Sequence, residues 1–134
     1  MRVLIVDDSA LVQTVLRSFV EKHLNFKVAG VAANGVEGVQ MYKDLLPELI
    51  FLDIQMPILD GVEALDQILN FNPFARVIMC SSVNDAGTIL KCIKRGAKTF
   101  IKKSQELADP LNLERMKREV DLALHLDESA VQES

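Results

Sequence analysis

The chain has 134 residues, of which 49% are hydrophobic, 25% are charged and only 5% are aromatic. This composition suits one globular domain with an aliphatic core and excludes a disordered chain or two domains of ordinary size. The formal net charge of −4 argues against a nucleic-acid partner, because a nucleic-acid surface needs a basic face. The sequence shows no leader pattern and no apolar run of transmembrane length, so we expect a cytoplasmic protein with no membrane partner.

Short apolar runs alternate with amphipathic segments along the chain. The runs show little alternation of apolar and polar residues, as expected for parallel strands that are covered on both faces. They are Val3–Val6, Val28–Val31, Leu49–Leu52, Val77–Cys80 and Thr99–Ile101. After the N-cap residue Ser9, apolar residues from Leu11 to Val20 repeat at helical spacing and predict the first helix.

Gly, Asn and Pro residues mark the ends of the remaining helices. Helices are expected after Asn34–Gly35, before Asn72–Pro73 and before Gly96, and a last one from Pro110 to Leu126 with Asp109 as its N-cap. Five strands alternating with five helices predict an α/β fold with a doubly wound, five-stranded parallel sheet. Residues 1–126 are assigned to this domain, and the polar residues 127–134 are expected to form a frayed tail.

Polar side chains follow four of the five predicted strands. They are Asp7 and Asp8 after the first, Asp53 after the third, Ser81 after the fourth, and Lys102 and Lys103 after the fifth. Ligands bind at the carboxyl ends of strands in such sheets, so we expect these side chains to converge. A single acid after a strand is usually a helix cap, but capping does not explain the whole set.

The residue types in this set favour phosphoryl chemistry. Three clustered carboxylates repel one another without a cation, and their oxygens suit Mg²⁺. A carboxylate can also act as a nucleophile and form an aspartyl phosphate. Phosphoryl transfer needs mainly positioning and charge neutralisation, which a metal ion and a lysine together supply.

These motifs resemble the signatures of response-regulator receiver domains. The matching segments are Asp7-Asp8, the D-x-x-M-P-x-x-D-G run from Asp53 to Gly61, the pair Ser81-Ser82, and Gly96-Ala97 followed by Lys103. The resemblance extends over about residues 1–126. It implies a flavodoxin-like receiver fold with strand order 2-1-3-4-5.

The resemblance also implies a phosphoacceptor and a set of metal ligands. Asp53 would accept a phosphoryl group from a sensor histidine kinase. Asp8 and Asp53 would bind Mg²⁺ directly, Asp7 mainly through water, and the backbone carbonyl of Gln55 would complete the protein ligands. Mn²⁺ or Ca²⁺ would substitute for Mg²⁺. The chain would assist its own phosphorylation and dephosphorylation without being an enzyme for other substrates.

The expected response also follows from the resemblance. Ser81 would close on the phosphoryl oxygen, Phe100 would swing inward with it, and Lys103 would contact the phosphoryl group. A downstream protein would then bind a surface made of helix 85–95, the fifth strand and helix 110–126. The chain itself is expected to be a monomer or a weak dimer.

Several segments are similar to chemotaxis-type receivers, especially the receiver half of the chemotaxis methylesterase. They are Val3–Leu16, Ala32–Gly35, Asp60–Leu65 and Ser81-Ser82. The sequence carries no G-x-S-x-G esterase motif and no helix-turn-helix, so it is either a stand-alone regulator or part of a longer protein. Ser104 departs from the family pattern, which usually has proline after the lysine.

Three other functions fit parts of the pattern. A receiver fold that no longer accepts phosphate would serve only for docking. A Mg²⁺-dependent phosphatase with an Asp nucleophile would turn over small phosphate esters, but such enzymes carry a D-x-D pair after the first strand. A flavodoxin-like cofactor binder would need a phosphate-binding loop where Asp7-Asp8 stands, and these acids would repel phosphate.

Overall fold

The computed structural model describes residues 1–82, 86–103 and 110–133; for residues 110, 111 and 126–133 it describes the backbone only. Five parallel strands form one sheet of order β2-β1-β3-β4-β5, which confirms the predicted fold class and strand order. The strands are β1 (Arg2–Val6), β2 (Lys27–Ala32), β3 (Leu49–Asp53), β4 (Val77–Ser81) and β5 (Thr99–Lys102).

The helices begin and end close to the predicted signals. They are α1 (Ala10–Ser18), α2 (Gly35–Leu45), α3 (Gly61–Phe71), α4 (Ala86–Arg95) and α5 (Pro110–Glu133). Ser9 and Asn34 cap α1 and α2, since their side chains accept hydrogen bonds from the backbone N–H groups of Val12 and Glu37. In the described part of the chain, no helix is both long and apolar enough to cross a membrane.

Two helices differ from the sequence-based expectation. The apolar stripe predicted as one helix to Val20 ends as α-helix at Ser18 and continues as a π-helical turn, Phe19–His23. Phe19 and Val20 are neighbours in sequence and both lie buried, which the wider turn accommodates. α5 continues past the predicted end at Leu126, because no Gly or Pro interrupts it before Glu133. The predicted N-cap Asp109, Ser104 and the predicted first helical residue Asp85 lie outside the described residues.

Two apolar layers enclose the sheet, as the lack of alternation in the strands predicts. One layer lies under α2, α3 and α4 and is built around Leu4, Ile50 and Leu65. The other lies under α1 and α5 and is built around Ile5 and Phe51. Because both faces are covered, polar side chains of the central strands emerge at the strand ends, where the site is expected.

The loop between β3 and α3 lies directly on the backbone of β3. The Gly61 N–H donates a hydrogen bond to the Ile54 carbonyl at 2.7 Å. A Cβ atom at Gly61 would lie only 2.0 Å from the Asp53 carbonyl oxygen, which no real side chain tolerates. Gly61 is therefore needed for this close approach, and it fixes the loop against the last residue of β3.

We expect Gly61→Ala to destabilise the protein by about 1–3 kcal/mol, because the added methyl must push the loop away from β3. Urea denaturation of both variants would measure this. The matched control is Gly87→Ala in α4, where the exposed glycine lies in a helix and alanine should be neutral or add up to about 1 kcal/mol. Equal stability of Gly61→Ala and the wild-type chain would show that the loop is not fixed in this way.

Candidate functional site

Three carboxylates meet at the carboxyl ends of β1 and β3. Oxygen atoms of Asp7, Asp8 and Asp53 all lie within 4.8 Å of one another. Asp7 is fully buried and Asp53 is 3% exposed, whereas Asp8 is exposed to solvent. Two buried acids and one exposed acid, all offering hard oxygen ligands, make a group that suits a divalent cation such as Mg²⁺.

The strand pairing brings these acids together. β1 and β3 are hydrogen-bonded neighbours, so residues that end them lie side by side. The Asp7 N–H continues the ladder to β2 by donating to the Ala32 carbonyl at 3.0 Å. Asp53 is the last residue of β3 and pairs with Cys80 of β4. Asp7 and Asp53 are thus fixed by the sheet, whereas Asp8 lies in the loop that follows β1.

Lys103 follows β5 and reaches both buried acids. Its Nζ atom lies 2.6 Å from Asp7 Oδ2 and 2.9 Å from Asp53 Oδ1. Asp7 Oδ2 is buried, and apart from this ammonium no donor in the described part of the chain contacts it. Its contact with the ammonium is therefore an ion pair that leaves hydrogen-bonding capacity for water, which fits the role of an indirect metal ligand.

Burial and neighbouring charges perturb the protonation of this group. The pKa of Asp53 is raised from 3.8 to about 6, with burial as the largest cause. The charges of Asp7 and Asp8 also raise this pKa, and Lys103 lowers it. Burial alone would lower the pKa of Lys103, but its contacts with Asp7 and Asp53 outweigh burial and raise it. The ammonium is therefore charged, and Asp53 is held in an environment that disfavours its own charge when no cation is present.

Ser81 lies beside the acids at the end of β4. It is 3% exposed, and its carbonyl oxygen accepts a hydrogen bond from the Lys103 N–H at 2.7 Å. The structure therefore links Ser81 to the same lysine that pairs with Asp53. Gln55 lies exposed in the loop after β3, and the role of its carbonyl as a metal ligand stays a prediction.

Phe100 does not lie among the acidic residues. It is 37% exposed on β5 and lines a groove of about 660 Å³ between α4 and α5. The other groove residues are mostly apolar or basic: Ala86, Ile89, Leu90, Ile93, Ile101, Lys102, Asn112, Arg115, Met116 and Glu119. The hydroxyl of Thr99 donates to the Glu119 carboxylate and joins β5 to α5. The surface predicted for a downstream protein thus contains an apolar groove with Phe100 in its wall.

The sequence did not reveal two contacts that hold the Asp7-Asp8 pair. The Ser9 N–H donates to Asp7 Oδ1 at 2.9 Å, so Ser9 serves the acid as well as the helix. Gln13 Nε2 donates to the Asp7 carbonyl oxygen at 2.6 Å. The position of Gln13 one turn into α1 places it near Asp7 in the sequence, but the direction of its side chain depends on the fold.

Comparison with known proteins agrees with this geometry. Residues 3–113 match the model of the response regulator receiver domain. The chain belongs to the response-regulator receiver domain family. Chemotaxis protein CheY of Listeria monocytogenes is 44% identical over 103 residues, which cover 77% of this chain and 86% of that protein. The similarity therefore extends over most of this chain and most of the relative.

Two solved structures are similar to this receiver domain. The response regulator domain of Thermotoga maritima CheB has a TM-score of 0.80 and 34% identity, over 92% of this chain and 96% of that chain. The CheX–CheY–BeF3–Mg+2 complex from Borrelia burgdorferi has a TM-score of 0.76 and 36% identity, over 84% of this chain and 85% of that chain. Both support the receiver fold as the frame for the acidic site.

In metal-free buffer, Asp53→Asn is expected to stabilise the receiver domain. Because the pKa of Asp53 is raised, its protonated form stabilises the folded protein. This stabilisation is fully present below pH 3.8 and is lost as the pH rises through about 6. Asparagine carries no charge. The free energy of unfolding of the variant should therefore exceed that of the wild-type chain by about 1–3 kcal/mol above that pH, and by little in acid. Chemical denaturation in EDTA across this pH range would measure the difference.

The exposed acid Asp121 of α5 provides the control for this test. Asp121→Asn should leave the free energy of unfolding nearly unchanged at every pH, since exposed single charges contribute little. A variant Asp53→Asn that is less stable than the wild-type chain in metal-free buffer above pH 6 would contradict the proposed repulsion within the acidic cluster.

Proposed function

We propose that this receiver domain is a phosphorelay switch in which Asp53 accepts a phosphoryl group from a phosphohistidine of a sensor histidine kinase. One observation carries the proposal: the Asp53 carboxylate lies within 4.8 Å of two other carboxylates and 2.9 Å from a lysine ammonium. A nucleophile, a set of hard ligands and a fixed positive charge are what phosphoryl transfer requires.

The transfer itself balances without a further reactant. An Asp53 carboxylate oxygen forms a bond to phosphorus while the bond between phosphorus and the donor imidazole nitrogen breaks. The imidazole nitrogen keeps the electron pair and takes up a proton from water. Lys103, already 2.9 Å from Asp53 Oδ1, neutralises charge on the phosphoryl oxygens as they arrive.

The residues present fit a magnesium ion. Asp8 and Asp53 would hold it directly, Asp7 through water and Gln55 through its backbone carbonyl, with Mn²⁺ or Ca²⁺ as substitutes. The hydrogen-bonding capacity left at the buried Asp7 Oδ2 agrees with a bound water in this place. When bound, Mg²⁺ supplies positive charge and fixed coordination to the phosphoryl oxygens. The Borrelia burgdorferi relative, solved with BeF3 and Mg+2, supports this assignment.

The proposed output is a protein-binding surface that depends on Asp53 phosphorylation. Lys103 and Ser81 are joined through their main chains, so a change at the phosphoryl site can reach the ends of β4 and β5. Phe100 lies on β5 and in the wall of the α4–α5 groove, where a downstream protein would bind. The similarity to chemotaxis protein CheY makes chemotaxis the favoured pathway.

Intact mass after treatment with acetyl phosphate and Mg²⁺ tests the phosphoacceptor. We expect a gain of one phosphoryl group in the wild-type chain, none in Asp53→Asn, and none when EDTA replaces Mg²⁺. Asp121→Asn, which removes an exposed acid on α5, should gain the group as the wild-type chain does. No gain in a folded wild-type chain that binds Mg²⁺ would favour a docking-only receiver. Continuous turnover of a small phosphate ester would favour a phosphatase instead.

The switch predicts a defined pattern of amide shifts. Beryllofluoride with Mg²⁺ mimics the aspartyl phosphate and should shift NMR signals of Ser81, α4, Phe100 and residues Pro110–Leu126. Signals of Val36–Leu46, which lie near the opposite edge of the sheet from β5, should move much less. Ser81→Ala removes the hydroxyl that is proposed to close on the phosphoryl oxygen, so it should bind beryllofluoride yet lose the shift at Phe100. Changes confined to the acidic residues would mean that Phe100 only packs.

A further inference from the structure

The side chain of Gln13 makes a tight contact with the backbone of the acidic segment. Its Nε2 atom donates to the Asp7 carbonyl oxygen at 2.6 Å, although Gln13 lies on α1 and could point its amide into water. Fixing a glutamine side chain costs rotamer entropy. The hydrogen bond to the Asp7 carbonyl must offset this cost to hold the side chain in one orientation. Asp7 is buried and Gln13 is partly buried, which strengthens the bond relative to one in open solvent.

This contact fixes the peptide unit between Asp7 and Asp8. The carbonyl of Asp7 and the N–Cα bond of Asp8 lie in one plane, because the peptide bond is planar. The remaining polar groups of Asp7 are also engaged: its N–H donates to Ala32 at 3.0 Å and its Oδ1 accepts from Ser9 at 2.9 Å. Once the carbonyl is held as well, the direction in which the chain continues to Asp8 is set.

Asp8 is the acid that most needs such support. Asp7 and Asp53 are buried and held by Lys103, whereas Asp8 is exposed, and yet its carboxylate lies within 4.8 Å of theirs. An exposed aspartate on a free loop would populate many orientations. A backbone anchor on its N-terminal side keeps the carboxylate near the other two before any cation arrives, which lowers the ordering cost of binding.

We propose that Gln13 is a positioning residue for the divalent cation, acting through the Asp7–Asp8 peptide rather than by touching the metal. The inference rests on the proposed function, since it assumes that the acidic cluster binds Mg²⁺. Removing a group that orients a metal ligand typically lowers the affinity for the metal by roughly 10–100-fold. A backbone anchor one residue from the ligand belongs at the lower end of that range.

The test variant is Gln13→Met, which keeps the length of the side chain and removes the donor. Isothermal titration with Mg²⁺, without phosphodonor, should show a dissociation constant raised roughly tenfold. Phosphorylation by acetyl phosphate should need correspondingly more Mg²⁺, while the rate at saturating Mg²⁺ stays close to that of the wild-type chain. Gln40→Met is the matched control, because Gln40 donates its amide to Asp44 at 3.0 Å on α2, away from the acids.

The outcomes separate this inference from the proposed function. An unchanged Mg²⁺ affinity in Gln13→Met overturns the inference, and so does a slower reaction at saturating Mg²⁺ with unchanged affinity. A wild-type chain that fails to bind Mg²⁺ or to accept a phosphoryl group overturns the proposed function itself.

A measurement on the wild-type chain decides the matter if Gln13→Met does not fold. The side-chain amide signals of Gln13 should shift in NMR spectra when Mg²⁺ is added, because the carbonyl that they contact belongs to the metal-binding segment. The signals of Gln40 should stay in place. Gln13 signals that do not respond to saturating Mg²⁺ would overturn the positioning role.

Discussion

The buried ammonium of Lys103, shared between Asp7 and Asp53, is the contact on which the arrangement of the acidic residues depends. Two carboxylates that are almost fully buried would otherwise face each other in a medium of low dielectric constant. Removing the ammonium from such a group typically costs about 3–5 kcal/mol, because the buried carboxylates would then stay uncompensated. One ammonium against three carboxylates still leaves an excess of negative charge, and this excess attracts a cation.

The same lysine connects the acids to the edge of the sheet. Its side chain reaches β1 and β3, and its main chain bonds to the Ser81 carbonyl at 2.7 Å. Under the proposed function, a phosphoryl group on Asp53 offers new oxygens to the ammonium and competes with its present partners. Any displacement of Lys103 then acts directly on the ends of β4 and β5, because the main chain of Lys103 continues β5 and is hydrogen-bonded to β4.

Much of this fold could be predicted from the sequence because apolar runs and polar residues follow simple rules. Runs without alternation indicate strands covered on both faces, and acids that follow such strands must emerge at one edge. The choice of Lys103 over Lys102, in contrast, rested on the resemblance to receiver domains. In the structure, burial alternates along β5 and Ile101 is buried. Lys103 lies two residues further on and therefore points to the same side.

The remaining features depend on contacts that no local pattern encodes. Gly61 is needed because two backbones approach each other after folding, and Gln13 matters because its amide meets a carbonyl across a loop. The outward position of Phe100 reflects the alternation of β5 at the sheet edge, whereas the resemblance describes an inward position for the phosphorylated state. Such features follow from side-chain direction and tertiary packing, which spacing alone does not determine.

Two helices on the same face of the sheet, α2 and α4, are packed to different degrees, and this favours one direction for the response. On α2 four residues are buried, and a Cβ atom at Gly38 would lie 2.7 Å from Val6 Cγ1, so this helix is packed closely on β1. On α4 only Cys92 is buried, although every residue of that helix is described. Segments with few buried apolar residues open or shift at lower free energy than closely packed ones. A disturbance that starts at Lys103 therefore meets less resistance toward α4 and the groove beside it than toward α2.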